Sequence, residues 1–380
     1  MRRCEQFLGI LAVLWGIILV TPACQKQRVT MPDTGNTGGT GVVWYVSTQG
    51  SDANSGQSRD SAFRTLRHAL EVVRPGETIV ILPGTYTEEI EVFNLGDGSA
   101  PITIRGETQA SGNAASQDVV FDGQNTRRFM FRCWQCRGIV IEHLKIRNYR
   151  WTAVSFWQQS AHITIRNLHI ERSALNVDPD IVDGAAAIAA IEVSDVVIEN
   201  NTIEHTGMKD IQRDKSGYGI DCWRCITGTI RNNRIRQFLG DGILVEESCH
   251  ITVEGNTIED GDMQMLDWWS GGIWLDGGKD VRVRHNTLRN NNGPGIQVSD
   301  TEVVYPQGFS RDFVIENNVS EDNEFGIYMW NYGQCPPPTD AVRLRGNTFR
   351  NNRQRDVWCV EWQCGVGQPC VEPEPDLPDC

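Results

Sequence analysis

Positive charge is in short supply. Among 380 residues, 35 Lys and Arg stand against 49 Asp and Glu, a formal net charge of -14. Such a balance repels polyanions, which argues against nucleic acid as a partner and leaves a bound cation such as Ca²⁺ compatible. Histidine is scarce, at 7, and shows no metal-ligand spacing. No phosphate-binding loop and no Ser-His-Asp set is present. The 37 glycines follow no collagen period, and only one apolar run is long enough to suggest a membrane. Against these absences, 39% of the residues are hydrophobic, enough to build a core.

That run, Phe7 to Val20, follows the basic pair Arg2 and Arg3 and is too short to span a bilayer comfortably. Thr21, Pro22 and Ala23 precede Cys24. The segment resembles a bacterial lipoprotein signal, which implies export, lipidation at Cys24 and a lipid-anchored place in the cell envelope. Simple cleavage after Ala23 is the alternative and also exports the chain. Residues 1–23 are therefore set apart as a signal, and 24–41, polar and rich in Gly and Thr, as a flexible tether. Cys4 and Cys24 aside, ten cysteines remain, an even count that reads as disulfides in an exported protein.

One pattern recurs through the body. Apolar-x-x-Asn-x-apolar appears as IENNTI (198–203), IRNNRI (230–235), VEGNTI (253–258), VRHNTL (283–288) and LRGNTF (344–349), with IENNVS (315–320) a degraded copy. IEHLKI (141–146) and IRNLHI (165–170) keep the frame without the Asn. Copies are separated by 24, 33, 32, 23, 30, 32 and 29 residues, the mark of a solenoid with insertions. Each frame is short and alternating, and another short strand precedes it, as at Ile220, Ile243 and Ile273. About three strands per unit, stacked, predict an all-β parallel β-helix of about eight to ten coils over residues 42–358. Asn201, Asn233, Asn256, Asn286, Asn318 and Asn347 are expected to form a buried ladder, each preceded by a residue that tolerates positive φ.

The start of the body has its own signature: WYVS (44–47), GSD (50–52), NSG (54–56), FRTL (63–66), RPGETI (74–79) and PGTY (83–86). It resembles the opening of right-handed β-helix proteins of the pectate-lyase-like superfamily, which include polysaccharide lyases. Phe63, Leu66, Ala69, Leu70 and Val73 share one helical face, with Ser61 or Asp60 placed to cap the helix and Pro75-Gly76 to stop it. This helix is expected to plug the solenoid's open end. Residues 359–380, with four Cys and four Pro, are expected to form a disulfide-rich, loop-rich cover at the other.

Threading the first strand of each coil onto one register turns Ile220, Ile243, Ile273, Ile296 and Ile327 inward and their alternates outward. The outward set is Arg132 and Trp134, Asp221 and Trp223, Leu244 and Glu246, Trp274 and Asp276, Gln297 and Ser299, Tyr328 and Trp330. An exposed strip of aromatics and carboxylates suits sugars, since ring faces stack on pyranoses. Glu246 and Asp276 are expected on adjacent coils, about 4.8 Å apart at the backbone, with Asp221 roughly 8 Å from Glu246. Such a cluster invites Ca²⁺ or general acid–base chemistry; a solvated pair on a stable scaffold is the plainer alternative. Insertions at 175–184, 207–219 and 261–271 flank the strip and add Lys209, Arg213, Lys215, Trp268 and Trp269.

Together these features predict a monomeric, polysaccharide-binding protein, most consistent with a lyase on a uronate polymer. Lys209, Arg213 or Lys215 serves as base, with Glu246 and Asp276 in the reaction centre. Asp221, Glu246 and Asp276 form the metal set, and Trp134, Trp223, Trp274, Tyr328, Trp330, Trp268 and Trp269 line the sugar path. A non-catalytic glycan- or protein-binding module and a hydrolase with paired carboxylates are the rivals. Tyr218-Gly219-Ile220-Asp221 weakly resembles the start of the mannuronan epimerase motif, but Cys222 and Trp223 replace its following Pro and His. Cys133/Cys136 and Cys222/Cys225 have zinc-like spacing but sit three coils, about 14 Å, apart. Local disulfides are the favoured reading, with Cys225–Cys249 as the alternative.

Overall fold

The structure is a computed structural model that describes residues 41–108, 119–174, 185–207, 217–261, 270–299, 311–330, 341–363 and 366–369. The expected export signal, Cys24 and nearly all of the expected tether lie outside the described residues.

Each coil is three strands long. The frame copies supply the second and third strands, and the alternating segment after each insertion supplies the first. On the third face ten strands stack, from Gly84–Tyr86 to Thr348–Arg350, which gives ten coils. Pairing is parallel throughout the stack. The 12-residue strand Ile243–Glu254 runs through the first and second faces without a break. The first-face register is the predicted one: Ile220, Ile243, Ile273, Ile296 and Ile327 are consecutive partners. All five are fully buried, as are Cys222, Val245, Leu275, Val298 and Met329 two residues on. They join one continuous core that runs from Val46 to Cys359.

Glycine marks the bend that opens the first face. Gly219, Gly242, Gly272, Gly295 and Gly326 hold one position in five coils. A Cβ at Gly242 would meet Ile258 Cγ2 at 2.5 Å and one at Gly295 would meet Ser320 Oγ at 1.9 Å, so inward side chains of the third face leave no room there.

The asparagine ladder is present. Asn256 Nδ2 donates to Asn286 Oδ1 at 3.0 Å and to the Ile230 carbonyl at 2.9 Å. Asn256 Oδ1 accepts from the Asn233 backbone N–H at 2.9 Å and from its Nδ2 at 3.0 Å. The same contacts repeat from Asn201 to Asn347. The preceding residues have positive φ, as at Asn200 (56°), Asn232 (55°) and Gly255 (65°). A second ladder, five residues later, joins Asn291, Asn323 and Asn352.

The plug helix is Leu66–Val72, and Leu66, Ala69 and Leu70 enter the main core. Its cap differs from expectation. Thr65, not Ser61 or Asp60, accepts from the His68 N–H at 3.1 Å, because Phe63 lies before the helix and packs on Trp44. At the far end the coil continues past residue 358. Strand Arg355–Gln363 stacks on Phe325–Trp330 and then pairs antiparallel with Val366–Pro369. Alternation in DVWCV carries the strand through the cysteine, with Val357 aligned on Ile327 and Cys359 on Met329.

The two Cys-x-x-Cys motifs differ. Cys133 and Cys136 form a disulfide, whereas Cys222 and Cys225 are buried free thiols, and Cys249 and Cys359 are disulfide-bonded. A Cys225–Cys249 bridge is therefore ruled out, and the local bridge is correct for one motif only. Cys225 Sγ lies 3.2 Å from the Ala190 carbonyl. A hydrogen bond with Cys225, then burial, pushes the Cys222 thiol up.

Candidate functional site

Two files of outward side chains run along the first face. One passes through Glu91, Arg132, Ser155, Ala189, Asp221, Leu244, Trp274, Gln297 and Tyr328. The other passes through Phe93, Trp134, Trp157, Ile191, Trp223, Glu246, Asp276 and Ser299. Glu246 and Asp276 are thus register partners, as expected.

The strip is not uniformly exposed. Trp134, Trp223 and Trp274 are partly exposed, but Tyr328 and Trp330 are only 6% and 5% exposed. Rings on coils less than 5 Å apart cover one another. Trp330 lies 6.5 Å from both Trp274 and Tyr328, and Tyr328 lies 5.3 Å from Trp358. The reading of Tyr328 and Trp330 as open sugar platforms is corrected: they are packed in a satellite apolar cluster. Burial alone pushes the Tyr328 hydroxyl up to about 12.

The acidic centre is also more enclosed than predicted. Asp276 is 3% exposed, and its Oδ1 accepts from Ser299 Oγ at 2.8 Å. Ser299 Oγ in turn accepts from Trp274 Nε1 at 2.8 Å. Asp276 is therefore a held carboxylate, and Glu246 is the partly exposed member of the pair. Asp221 is buried beside Leu244, a file away from Glu246. Among the described residues no three His, Cys, Asp or Glu converge on one point. Asp221, Glu246 and Asp276 thus do not form the expected three-ligand cation site, because alternate strand positions keep Asp221 off the Glu246–Asp276 pair.

A cation borders this centre that sequence reasoning missed. Arg224, the residue after Trp223, lies 4.4 Å from the Trp223 ring and pairs with Glu247 and, at 3.8 Å, with Glu192. Lys209, Arg213, Lys215, Trp268 and Trp269 lie outside the described residues. The ends of the second insertion are described. Gly207 and Gly217 approach so closely that a Cβ on Gly217 would sit 2.2 Å from the Gly207 Cα, and Gly217 opens directly into Tyr218–Trp223.

The first-coil end of the strip is the more open aromatic surface. Phe93 is 62% exposed and stacks on Trp134, with centroids 6.3 Å apart and planes 8° apart. Trp134 packs on Trp157 at 5.1 Å. Glu91 accepts from Trp134 Nε1 at 3.0 Å and from Arg132 at 3.4 Å. A cleft of about 570 Å³ opens beside Glu91 and Phe93, walled by Leu70, Val73 and Arg74. Phe93 and Trp157 escaped sequence reasoning because the early coils lack the Asn frame. Aligning IEVF (90–93) and VSFW (154–157) with FRCW (131–134) is the signal that finds them.

Comparison with known proteins follows from this geometry. Residues 152–331 and 212–367 match the family described as right handed beta helix region, together more than half of the chain. Residues 48–228 match a family described as protein of unknown function (DUF1565). The uncharacterized protein YwoF of Bacillus subtilis (strain 168) is 28% identical over 351 residues, which cover 85% of this chain and 71% of that one. Alginate lyase from Paenibacillus sp. str. FPU-7 superimposes with a TM-score of 0.54 at 17% identity, over 77% of this chain and 95% of the lyase. Pectate lyase Pel9A gives 0.51 at 15% identity, over 83% and 78%. At these identities the structural likeness speaks for the fold.

Proposed function

Because the chain belongs to the right-handed β-helix family of pectate-lyase-like architecture, we propose that it is an exported protein that binds an acidic, uronate-containing polysaccharide along the first face and cleaves it by elimination. The observation that carries this reading is the file Phe93–Trp134–Trp157–Ile191–Trp223–Glu246–Asp276. Aromatic faces precede a carboxylate pair along one line, the arrangement a linear sugar chain needs. Two solved proteins of this fold, an alginate lyase and a pectate lyase, are named for uronate polymers.

Elimination takes the proton next to the sugar carboxyl, at C5, breaks the bond to the C4 oxygen and leaves a C4–C5 double bond. Such a step needs a base of lowered pKa and a positive charge to neutralise the sugar carboxylate. Lys209, Arg213 or Lys215 supplies the base in this proposal and another of the three the neutralising charge, since Arg224 beside Trp223 is already paired with Glu247 and Glu192. Glu246, the register partner of the buried Asp276, acts in its carboxylic-acid form and gives its proton to the departing C4 oxygen, while the proton taken from C5 passes from the base to solvent. The described carboxylates do not make a closed Ca²⁺ site, so no step is assigned to a metal.

The test is incubation with polygalacturonate and alginate while following ultraviolet absorbance of the unsaturated product. Wild type is expected to give product, and Glu246→Gln to reduce the rate about 100-fold or more. Glycan binding without product would favour the non-catalytic module. The absence of both binding and product would overturn the assignment.

A further inference from the structure

Four buried hydrogen-bond donors lie in one aromatic cluster at the first-coil end of the strip, and none has an acceptor among the described residues. Arg132 is 8% exposed, and its guanidinium carbon lies 4.1 Å from the Phe129 ring, 3.9 Å from Trp151 and 5.9 Å from Trp157. Its Nη1 reaches Glu91 at 3.4 Å, whereas Nε and Nη2 have no partner. The indole N–H groups of Trp151 and Trp157 are likewise buried and unpartnered. Trp151 is 7% exposed, and the two indole rings are 6.1 Å apart. Burial pushes the Arg132 pKa down to about 10, so the group is still a cation at neutral pH.

A cluster made only of donors is costly in a protein interior, since each unmet N–H keeps its desolvation cost. Indoles and guanidinium have no lone pair to offer one another, so internal rearrangement does not relieve it. An acceptor with negative charge does, and a carboxylate matches the guanidinium edge in a bidentate geometry. One of the surrounding rings, Trp157, belongs to the aromatic ladder Phe93–Trp134–Trp157, which ties the cluster to the proposed sugar path.

We infer that Arg132, Trp151 and Trp157 form a carboxylate-recognition subsite that holds one acidic sugar of the polysaccharide on the ladder, four coils from Glu246. The inference rests on the polysaccharide reading above and adds the group that selects charged over neutral sugar. Trp157 is the partly exposed wall of the cluster and so the side from which a carboxylate would enter. Arg132 then binds both carboxylate oxygens, and the indole N–H groups complete the cage.

Calorimetric titration with oligogalacturonate, and with its methyl ester as the uncharged control, tests this on the whole chain. Wild type is expected to bind the acid and to lose about tenfold or more in affinity for the ester. Arg132→Met is expected to weaken acid binding to the same degree and to leave ester binding unchanged. Trp157→Phe, which keeps a ring and removes the N–H, is expected to lose about fivefold for the acid.

A melting curve without ligand separates binding from structure. A subsite residue burdens the empty fold, so Arg132→Met is expected to hold or raise the melting temperature. If that variant does not fold, Trp157→Phe decides alone. Wild-type affinity for the acid in both variants, or equal wild-type affinity for acid and ester, overturns the subsite and leaves water alone as the occupant. Failure of wild type to bind either oligomer or any uronate polymer overturns the polysaccharide reading as well.

Discussion

Single residues in this tube are constrained by the coil position they occupy, and His143 shows the consequence. It sits at the turn where later coils place Asn200, Asn232 and Gly255, and its φ of 58° is that of the same left-handed turn. Burial lowers its pKa from 6.5, with the neighbouring Glu142 opposing the shift. His169 is lowered by burial in the same sense. The unfolded chain therefore takes up these protons first as the pH falls. Stability is full above pH 6.5 and is lost as the pH drops from there toward the folded values. His143→Asn keeps the turn, since Asn readily adopts positive φ, and removes the titration. Its melting temperature is expected to fall less steeply than wild type between about pH 6.5 and 5. Parallel slopes would mean that His143 is charged or neutral alike in both states.

Elements are held in register by ladders, and the two ends of a ladder are not equal. Asn256 sits mid-ladder and fully buried, so its removal strands the Asn233 N–H and the Ile230 carbonyl. Asn347 ends the ladder and is partly exposed. Denaturant unfolding is expected to show a loss on the order of 3 kcal/mol for Asn256→Ala and about 1 kcal/mol for Asn347→Ala. Equal losses would mean that the ladder is decorative and the core alone sets register.

This column was legible because Asn recurs at one place in a frame whose apolar positions are strict. A second column was equally available and was missed. Arg105, Glu142, Arg166, Glu199, Arg231, Glu254, Arg284, Glu316 and Arg345 are successive partners on the second face, alternating in sign over nine coils. A coil that skipped a partner would set like charges side by side. The burial of Asp276, Tyr328 and Trp330 was not legible. Alternation says that they point outward, but what covers an outward side chain depends on partners dozens of residues away. The donor cluster at Arg132 was hidden for a related reason, because Trp151 stands before its strand and outside the repeat.

At the scale of the molecule, a stack of coils turns sequence separation into distance along one axis. Trp134 and Glu246 are more than a hundred residues apart, yet four register steps place them about 19 Å from one another. An oligosaccharide that lies along the first face meets the Arg132 cluster and the Glu246–Asp276 pair only if it is long enough to span that interval. Shorter oligomers engage one centre at a time and gain nothing from the other. Affinity for oligogalacturonates of increasing length is therefore expected to rise in two steps, the second at the length that bridges about 19 Å. In Arg132→Met the second step should vanish while short oligomers still reach the Trp223–Glu246 end. A smooth rise, or a plateau at the disaccharide, would show that the ligand crosses the tube instead of following its axis. The aligned files would then be a product of stacking alone.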